Sequence, residues 1–134
     1  MVKLNGSVPL SKGFAASAIY QDQAGPPREA IYAATNAEIA PSLGRDLAGG
    51  ARTVNIPLLM PNRLFEGRIR RLDLRLTKSV QLPKRARLQL NLDAYNALNS
   101  SAIQSINNAY GTSWLKPTQI LDPRILQVSC QLVF

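Results

Sequence analysis

The stretch ARLQLNLDAYNAL, residues 86–98, decides the fold class of this chain. From residue 86 to residue 95, the even-numbered positions carry Ala, Leu, Leu, Leu and Ala, and the odd-numbered positions carry Arg, Gln, Asn, Asp and Tyr. Successive side chains of a β-strand point to opposite faces, so this repeat predicts a strand with one apolar and one polar face. The strand runs into a polar corner, YNALN, at residues 95–99.

The same alternation recurs along the chain. RRLDLRLTKSV (70–80) and LQVSCQLVF (126–134) also place their apolar residues at even positions. Weaker alternation appears in VKLNGSVPL (2–10) and GFAASAIYQ (13–21), which a short SK turn separates. We therefore predict an all-β fold, an antiparallel up-and-down meander with strands at about 2–10, 13–21, 68–80, 86–98 and 124–134.

Strand length and loop length favour a transmembrane β-barrel wall. The longest predicted strands exceed the ~5–6 residues that are usual in soluble sheets. Two long connections, 22–66 and 99–123, are rich in Gly, Pro, Asn and Ser, whereas the other turns are short. Short turns at one end and long loops at the other are typical of outer-membrane barrels. Within the first loop, segments 28–36 and 52–59 are predicted as a hairpin.

Parity restricts how the two longest strands pair. Both carry their apolar face at even positions, so directly opposed residues must have numbers that sum to an even value. A turn over 82–84 would place Asp73 opposite Asp93, which is repulsive, whereas a turn over 82–86 places Arg75 opposite Asp93. We predict the longer turn.

Composition removes several classes of function. The net charge is +8 and the pI about 10.3, which favours anionic partners. Histidine is absent and Cys130 is the one cysteine, so no Ser-His-Asp triad, Cys-His pair, zinc cluster or disulfide can form within the chain. Aromatic residues are 6% of the chain and are not interleaved with the basic residues, which argues against nucleic-acid binding. We expect no enzyme activity, no cofactor and no metal site.

Hydropathy leaves the membrane question open. The most continuous apolar block, IPLLMP at 56–61, is far shorter than the ~20 residues of a membrane helix. Barrel strands need only ~9–11 residues of alternating polarity. The opening MVKLNGSVPL lacks the charged start and long apolar core of a signal peptide.

Three ordered motifs carry a family resemblance. They are R-x-D-x-R-x-x-K, then D-x-Y-N-x-L-N, then N-x-Y-G-x-x-W-x-x-P-x-x-I-L-x-x-R, followed by an alternating strand that ends in Phe. This order resembles the C-terminal end of TonB-dependent receptor-like β-barrels, most of all the subgroup with an N-terminal carboxypeptidase-regulatory-like domain. APSLGRDLAGG at 40–50 is similar to that subgroup too. The motif residues are Arg71, Asp73, Arg75, Lys78, Asp93, Tyr95, Asn96, Leu98, Asn99, Asn108, Tyr110, Gly111, Trp114, Pro117, Ile120, Leu121 and Arg124.

The resemblance implies a location and a role. It places the chain in the cell outer membrane as the C-terminal part of a receptor that takes up a bulky nutrient, a metal chelate or a glycan. The chain would itself be structural, and its partners would be outer-membrane lipid and lipopolysaccharide, the barrel-assembly machinery, and the remainder of the receptor (plug and N-terminal strands). A periplasmic C-terminus makes 22–66 and 99–123 extracellular. The strand count is then five, with seven as the alternative.

Specific residues receive roles on these grounds. The terminal strand resembles the signal that the assembly machinery reads, or is simply the last core strand; its apolar residues are Val128, Cys130, Leu132 and Phe134. Asp73, Arg75 and Asp93 share the polar face and are predicted to form a lumenal charge network. Cys130 is interpreted as a small apolar residue.

The loops and rims leave alternatives open. Tyr110 and Trp114 would line a ligand mouth, form an interfacial girdle, or fold the last loop onto itself with Pro117. Arg68 and Arg70 share the parity of the leucines, so they would meet lipopolysaccharide phosphates or form a solvated rim. Four basic residues at the opposite turn are expected to be solvated: Lys78, Lys84, Arg85 and Arg87.

The alternative to a barrel wall is a soluble antiparallel β-sheet that acts as a binding module with a basic surface. A soluble protein would bury the leucine face against another layer, whereas a barrel wall leaves that face bare. The leucines that discriminate are Leu72, Leu74, Leu76, Leu88, Leu90 and Leu92.

Overall fold

The computed structural model describes residues 1–83 and 86–134, and this part of the chain is mostly β-structure. In chain order the elements are β1 (Val2–Pro9), β2 (Phe14–Gln23), β3 (Pro27–Arg28), β4 (Ile31–Thr35), α1 (Asn36–Leu43), β5 (Thr53–Pro57), β6 (Leu64–Phe65), β7 (Ile69–Gln81), β8 (Arg87–Tyr95), β9 (Ile103–Ile106), β10 (Pro117–Ile120) and β11 (Ile125–Val133). Each of the strands predicted from alternation has an observed strand at its position. No helix among the described residues has the length and apolar character to cross a membrane.

The chain divides into two compact units. The sheet unit contains residues 1–24, 68–102 and 121–134, and the loop unit contains residues 25–67 and 103–120. The sheet unit holds one five-stranded antiparallel sheet in the order β1-β2-β7-β8-β11. This sheet is open, with β1 and β11 at its edges. The all-β, antiparallel fold class is therefore confirmed.

The register of the sheet follows the parity of the sequence. Directly opposed residues are always either both even-numbered, such as Leu4 and Tyr20 or Leu76 and Leu92, or both odd-numbered. This holds for all four strand pairs of the sheet. Arg75 lies opposite Asp93, as predicted. A hydrogen bond at the two ends of the predicted turn over 82–86 fits that prediction: the Leu82 backbone N–H donates to the Ala86 carbonyl at 2.8 Å. Lys84 and Arg85, within the predicted turn, lie outside the described residues.

The loop unit holds the short elements. β4 and β5 pair antiparallel, from Ile31 opposite Pro57 to Thr35 opposite Thr53, so the predicted pairing of segments 28–36 and 52–59 is present. Two further small sheets pair β3 with β6 and β9 with β10. Helix α1 was not predicted.

Helix α1 begins with a capping box. Glu38 accepts hydrogen bonds from the Thr35 backbone N–H at 2.7 Å and from the Thr35 hydroxyl at 2.8 Å. The helix ends at Gly44, whose φ of 70° is a left-handed conformation that glycine adopts without steric cost. Both end signals are local, so α1 is specified by residues 35–44 themselves.

Candidate functional site: a bare apolar face and a buried polar face

The five-stranded sheet exposes most of its leucines: of the six that discriminate, Leu74, Leu76, Leu90 and Leu92 are exposed, and Leu72 and Leu88 are half-buried. Leu126 and Val128 are 69% and 77% exposed. The described part of the chain therefore places no covering layer over this face. The exposed even-numbered apolar residues are Val2, Leu4, Val8, Phe14, Leu74, Leu76, Val80, Leu90, Leu92, Leu126, Val128 and Leu132. Because all five strands share the register, these side chains form one surface, which we call the apolar face.

The opposite face is polar and is partly buried. Asp93 is only 2% exposed, and Asn91 is also buried. Arg75 Nε and NH2 donate to the two Asp93 carboxylate oxygens at 2.5 and 3.1 Å, a bidentate ion pair. The sheet is thus inverted relative to a soluble sheet: its carboxylate is buried and its leucines are bare.

Hydrogen bonds continue along the polar face. Thr77 Oγ1 donates to Asn91 Oδ1 at 2.8 Å, and Asn91 Nδ2 donates to Ser129 Oγ at 3.2 Å, which links β7, β8 and β11. Among the described residues, every buried side-chain nitrogen and oxygen has a hydrogen-bond partner. The buried polar side is therefore satisfied, as a low-dielectric setting requires.

The predicted charge network is divided into two pairs. Arg75 joins Asp93, whereas Asp73 accepts from Arg71 Nε at 2.9 Å. Asp73 Oδ1 also accepts from the Asn96 backbone N–H at 2.9 Å, which ties β7 to the end of β8. Sequence parity placed these residues and Arg71 on one face, but the pairing of Arg71 with Asp73 was not predicted.

The corner after β8 is built around Asn96, which is 3% exposed. Asn96 Nδ2 donates to the carbonyls of Ser100 and Asp122 at 2.9 and 2.7 Å, and its Oδ1 accepts from Ser100 N at 3.0 Å. Asn96 and Asn99 have φ values of 47° and 51°, left-handed conformations that asparagine tolerates better than most residues. Asn99 Oδ1 accepts from Arg124 N at 3.1 Å, next to the start of β11. This explains the YNALN corner in the sequence.

Charged residues lie at two levels of the apolar face: one row is at its end, and the other lies one row short of the opposite end, where Val80 and Leu132 follow. In the first row Asp22 lies opposite Arg70, and in the second Phe14 lies opposite Lys78. Within the five strands, the even positions between these rows carry no charged residue. Arg70 and Lys78 are eight residues apart on β7, which corresponds to about 27 Å of extended strand.

The terminal strand lies at an edge of the sheet. β11 pairs with β8 on one side, and its apolar residues Val128, Cys130 and Leu132 are exposed on the apolar face. Phe134 follows the strand and is 99% exposed. The predicted assembly residues therefore form a regular apolar stripe beside a row of backbone groups that is unpaired in the described part of the chain.

The loop aromatics form a cluster within the loop unit. The Tyr110 and Trp114 rings lie 5.7 Å apart, and Tyr32 meets Tyr110 edge-on at 6.4 Å. Trp114 Nε1 donates to the Glu29 carbonyl at 2.8 Å. Tyr110 and Trp114 thus contact each other within the last loop and Tyr32 and Glu29 of the first loop, and the three roles predicted for them stay predictions. Tyr32 was missed, and no local pattern links it to a ring so distant in sequence.

Two carboxylates of the loop unit have lowered pKa values. Arg28 donates to both Glu66 oxygens at 2.7 and 3.0 Å, and these hydrogen bonds lower the pKa of Glu66. The Tyr32 hydroxyl donates to Glu38 at 2.6 Å, and this bond, with those from Thr35, lowers the pKa of Glu38. No three His, Cys, Asp or Glu side chains of the described residues converge as a metal ion requires.

Comparison of the chain with protein-family models, with curated proteins and with solved structures finds no match. The receptor family therefore stays an interpretation of the motifs.

Proposed function

We propose that the apolar face contacts lipid acyl chains, and that the chain is a C-terminal segment of an outer-membrane TonB-dependent receptor-like barrel. The observation that carries this proposal is the inverted sheet, with bare leucines on one side and, on the other, the buried Asp93 carboxylate paired with the half-exposed Arg75. In the parent receptor this segment would be structural. Uptake of a metal chelate or a glycan would belong to the complete, plugged barrel.

The free-energy balance favours lipid over water. A large side chain such as leucine gains ~1.5–3 kcal/mol when it is removed from water, and the apolar face leaves ten or more of these bare. Soluble monomers seldom expose one contiguous apolar patch of this kind. Against acyl chains the same side chains have no such penalty, and the antiparallel sheet satisfies the backbone of its inner strands.

The height of the apolar face supports the same conclusion. Strands in membrane barrels tilt by ~35–45°, so a strand length of about 27 Å between the charged rows projects to roughly 20 Å. Outer-membrane barrels carry an apolar band ~25 Å tall. The Asp22–Arg70 row and the Lys78 row would lie at the two interfaces, where charge costs little.

The topology requires further strands. In an antiparallel sheet of five strands the two edges, β1 and β11, run in the same direction. They cannot close onto each other antiparallel, so closure needs an odd number of additional strands. Lipid does not tolerate unpaired strand edges, so we propose that the remainder of the receptor supplies them.

The terminal strand would serve assembly. An edge strand with a regular apolar stripe can pair with an open sheet edge of another protein, as the barrel-assembly machinery presents to its clients. Phe134→Asp is expected to block membrane assembly of the parent receptor. Normal assembly of that variant would remove Phe134 from the signal.

The single cysteine allows a direct test. A fluorophore on Cys130 should report the apolar face, and one on Gln131→Cys in a Cys130→Ser background should report the opposite face of the same strand. In mixed micelles of detergent and phosphatidylcholine, we expect bromine on the acyl chains to quench the Cys130 probe and iodide in the water to quench the Gln131→Cys probe. Equal quenching of both probes by iodide would show a soluble sheet and overturn the proposal.

A further inference from the structure

Arg68 and Arg70 lie at one end of the apolar face. Both are even-numbered, as is Asp22, which lies directly opposite Arg70 on β2. Arg68 Nε donates to Asp22 Oδ1 at 2.6 Å, and Arg70 Nε lies 3.6 Å from Asp22 Oδ2. One carboxylate thus lies between two guanidinium groups, and the three side chains, which we call the arginine clasp, have a net charge of +1.

The clasp keeps unused hydrogen-bond donors. Each guanidinium has five N–H donors. Among the described residues, one hydrogen bond joins the two guanidinium groups to Asp22, and it uses one donor of Arg68. The 3.6 Å separation at Arg70 is an ion pair without a hydrogen bond. The arginine side chains are 49% and 60% exposed, whereas Asp22 is 18% exposed. The carboxylate is therefore less exposed than the two guanidinium groups beside it, and both guanidinium groups are accessible to a ligand.

The other charged level of the apolar face is different. The Lys78 ammonium donates to the Lys12 carbonyl and lies 4.2 Å from the centre of the Phe14 ring. This single cation is engaged within the protein on two sides. The two charged levels of the apolar face are therefore unequal: one holds two exposed guanidinium groups around one carboxylate, and the other holds an ammonium that already has two partners.

We propose that the arginine clasp binds the phosphate group of a membrane lipid headgroup. This inference rests on the proposed function, because it requires the neighbouring leucines to contact the acyl chains of the same lipid. Guanidinium groups match phosphate oxygens in bidentate geometry, which an ammonium cannot do. A lipid can contact the arginines and the neighbouring leucines at once, with its phosphate on Arg68 and Arg70 and its acyl chains along Leu72 and Leu74. A free phosphate ion would contact only the arginines.

The test uses the full chain in mixed micelles of a maltoside detergent and phosphatidylcholine. Phosphatidic acid is titrated in, and native mass spectrometry counts the molecules bound to each chain. We expect Arg68→Gln/Arg70→Gln to weaken phosphatidic acid binding about 10-fold, since both charge-assisted contacts with the phosphate are lost and solvent screening limits what each contributes. The matched control, Arg45→Gln/Arg52→Gln, removes the same charge from exposed positions of the loop unit and is expected to bind as the unchanged chain does.

The outcomes separate the clasp from the membrane proposal. An equal loss in the control pair would mean that net charge alone attracts the lipid, and would overturn the clasp. Unchanged binding by Arg68→Gln/Arg70→Gln would overturn it too. Displacement of phosphatidic acid by an equal concentration of inorganic phosphate would make the clasp a site for free anions and refute the lipid assignment. The Cys130 probe is read in the same micelles, so loss of acyl-chain quenching there would mark a failure of the proposed function, and retained quenching without phosphatidic acid binding a failure of the clasp alone.

Discussion

The sheet unit and the loop unit differ in what they bury. In the five-stranded sheet the buried strand residues are Asn91 and Asp93 together with Ile69, and most leucines on the other face are exposed. In the loop unit the buried side chains are apolar, such as Ala30, Ala34 and Ile106. Both units expose some apolar side chains, but only the sheet has a polar interior side. Alternation alone does not show which face of a strand is buried; the position of the carboxylate does.

The largest expected effect comes from charge on the apolar face. Leu126 lies in the same row as Leu74, midway between the two charged rows, and Gln127 is its neighbour on the opposite face. Leu126→Arg is expected to lower the free energy of unfolding in mixed micelles by up to about 4 kcal/mol, and Gln127→Arg by less than about 1 kcal/mol. Urea titration followed by circular dichroism measures both. Equal losses would mean that both faces of β11 meet water, which would end the contrast between the units.

The next effect comes from the buried carboxylate. Arg75→Ala leaves Asp93 buried without its partner and is expected to cost about 3 kcal/mol of stability. Arg71→Ala is the comparison, because Asp73 keeps the Asn96 amide as a donor and the expected cost is about 1 kcal/mol. If the two variants lose the same free energy of unfolding in urea titration, the Arg75–Asp93 pair contributes no more to the stability of the sheet than the Arg71–Asp73 pair does.

A smaller effect is expected at the corner after β8. Asn96→Ala removes the side-chain bonds to Ser100 and Asp122 and places alanine in a left-handed conformation, at an expected total cost of about 2 kcal/mol. Asn96→Gly loses the same bonds but tolerates the conformation, so it should be about 1 kcal/mol more stable than the alanine variant. Equal stability of the two would show that the hydrogen bonds, and not the backbone conformation, account for the use of asparagine.

The sequence determines the sheet well because its information is local and periodic. The shared parity of the leucines fixes which residues can be opposed, and repulsion between Asp73 and Asp93 then selects the register with Arg75 opposite Asp93. These constraints need no knowledge of distant contacts. They do not identify the solvent on either face, which is why the barrel and the soluble sheet were both compatible with the pattern.

The loop unit was predicted less completely, for two different reasons. Helix α1 had a readable signal, Thr35 followed by Glu38 three residues later, but its proline and its short length concealed it in a segment interpreted as a loop. The contact of Tyr32 with Tyr110 had no signal, because it joins two long connections and nothing in either segment specifies the other. The pairing of Asp73 with Arg71 was not predicted for a related reason. The two residues lie on the same face of the same strand, and cross-strand pairing rules describe only contacts between different strands.

The smallest expected effect tests whether the loop unit follows the ordinary electrostatics of an exposed surface. Hydrogen bonds from Tyr32 and Thr35 hold the pKa of Glu38 below the ordinary value of a glutamate side chain. A carboxyl with a lowered pKa in the folded state adds stability above its unfolded value, and this contribution is lost as the pH falls through the folded value. Tyr32→Phe removes the largest contribution, so the pKa of Glu38 should rise towards its ordinary value, and the stability lost on acidification should be smaller and complete at a higher pH. Tyr110→Phe keeps the ring contact with Tyr32 and should leave the titration of Glu38 unchanged. Carboxyl-detected NMR of Glu38 measures both, and an unmoved titration in Tyr32→Phe would assign the shift to the helix cap alone, leaving the aromatic cluster without an electrostatic link to α1.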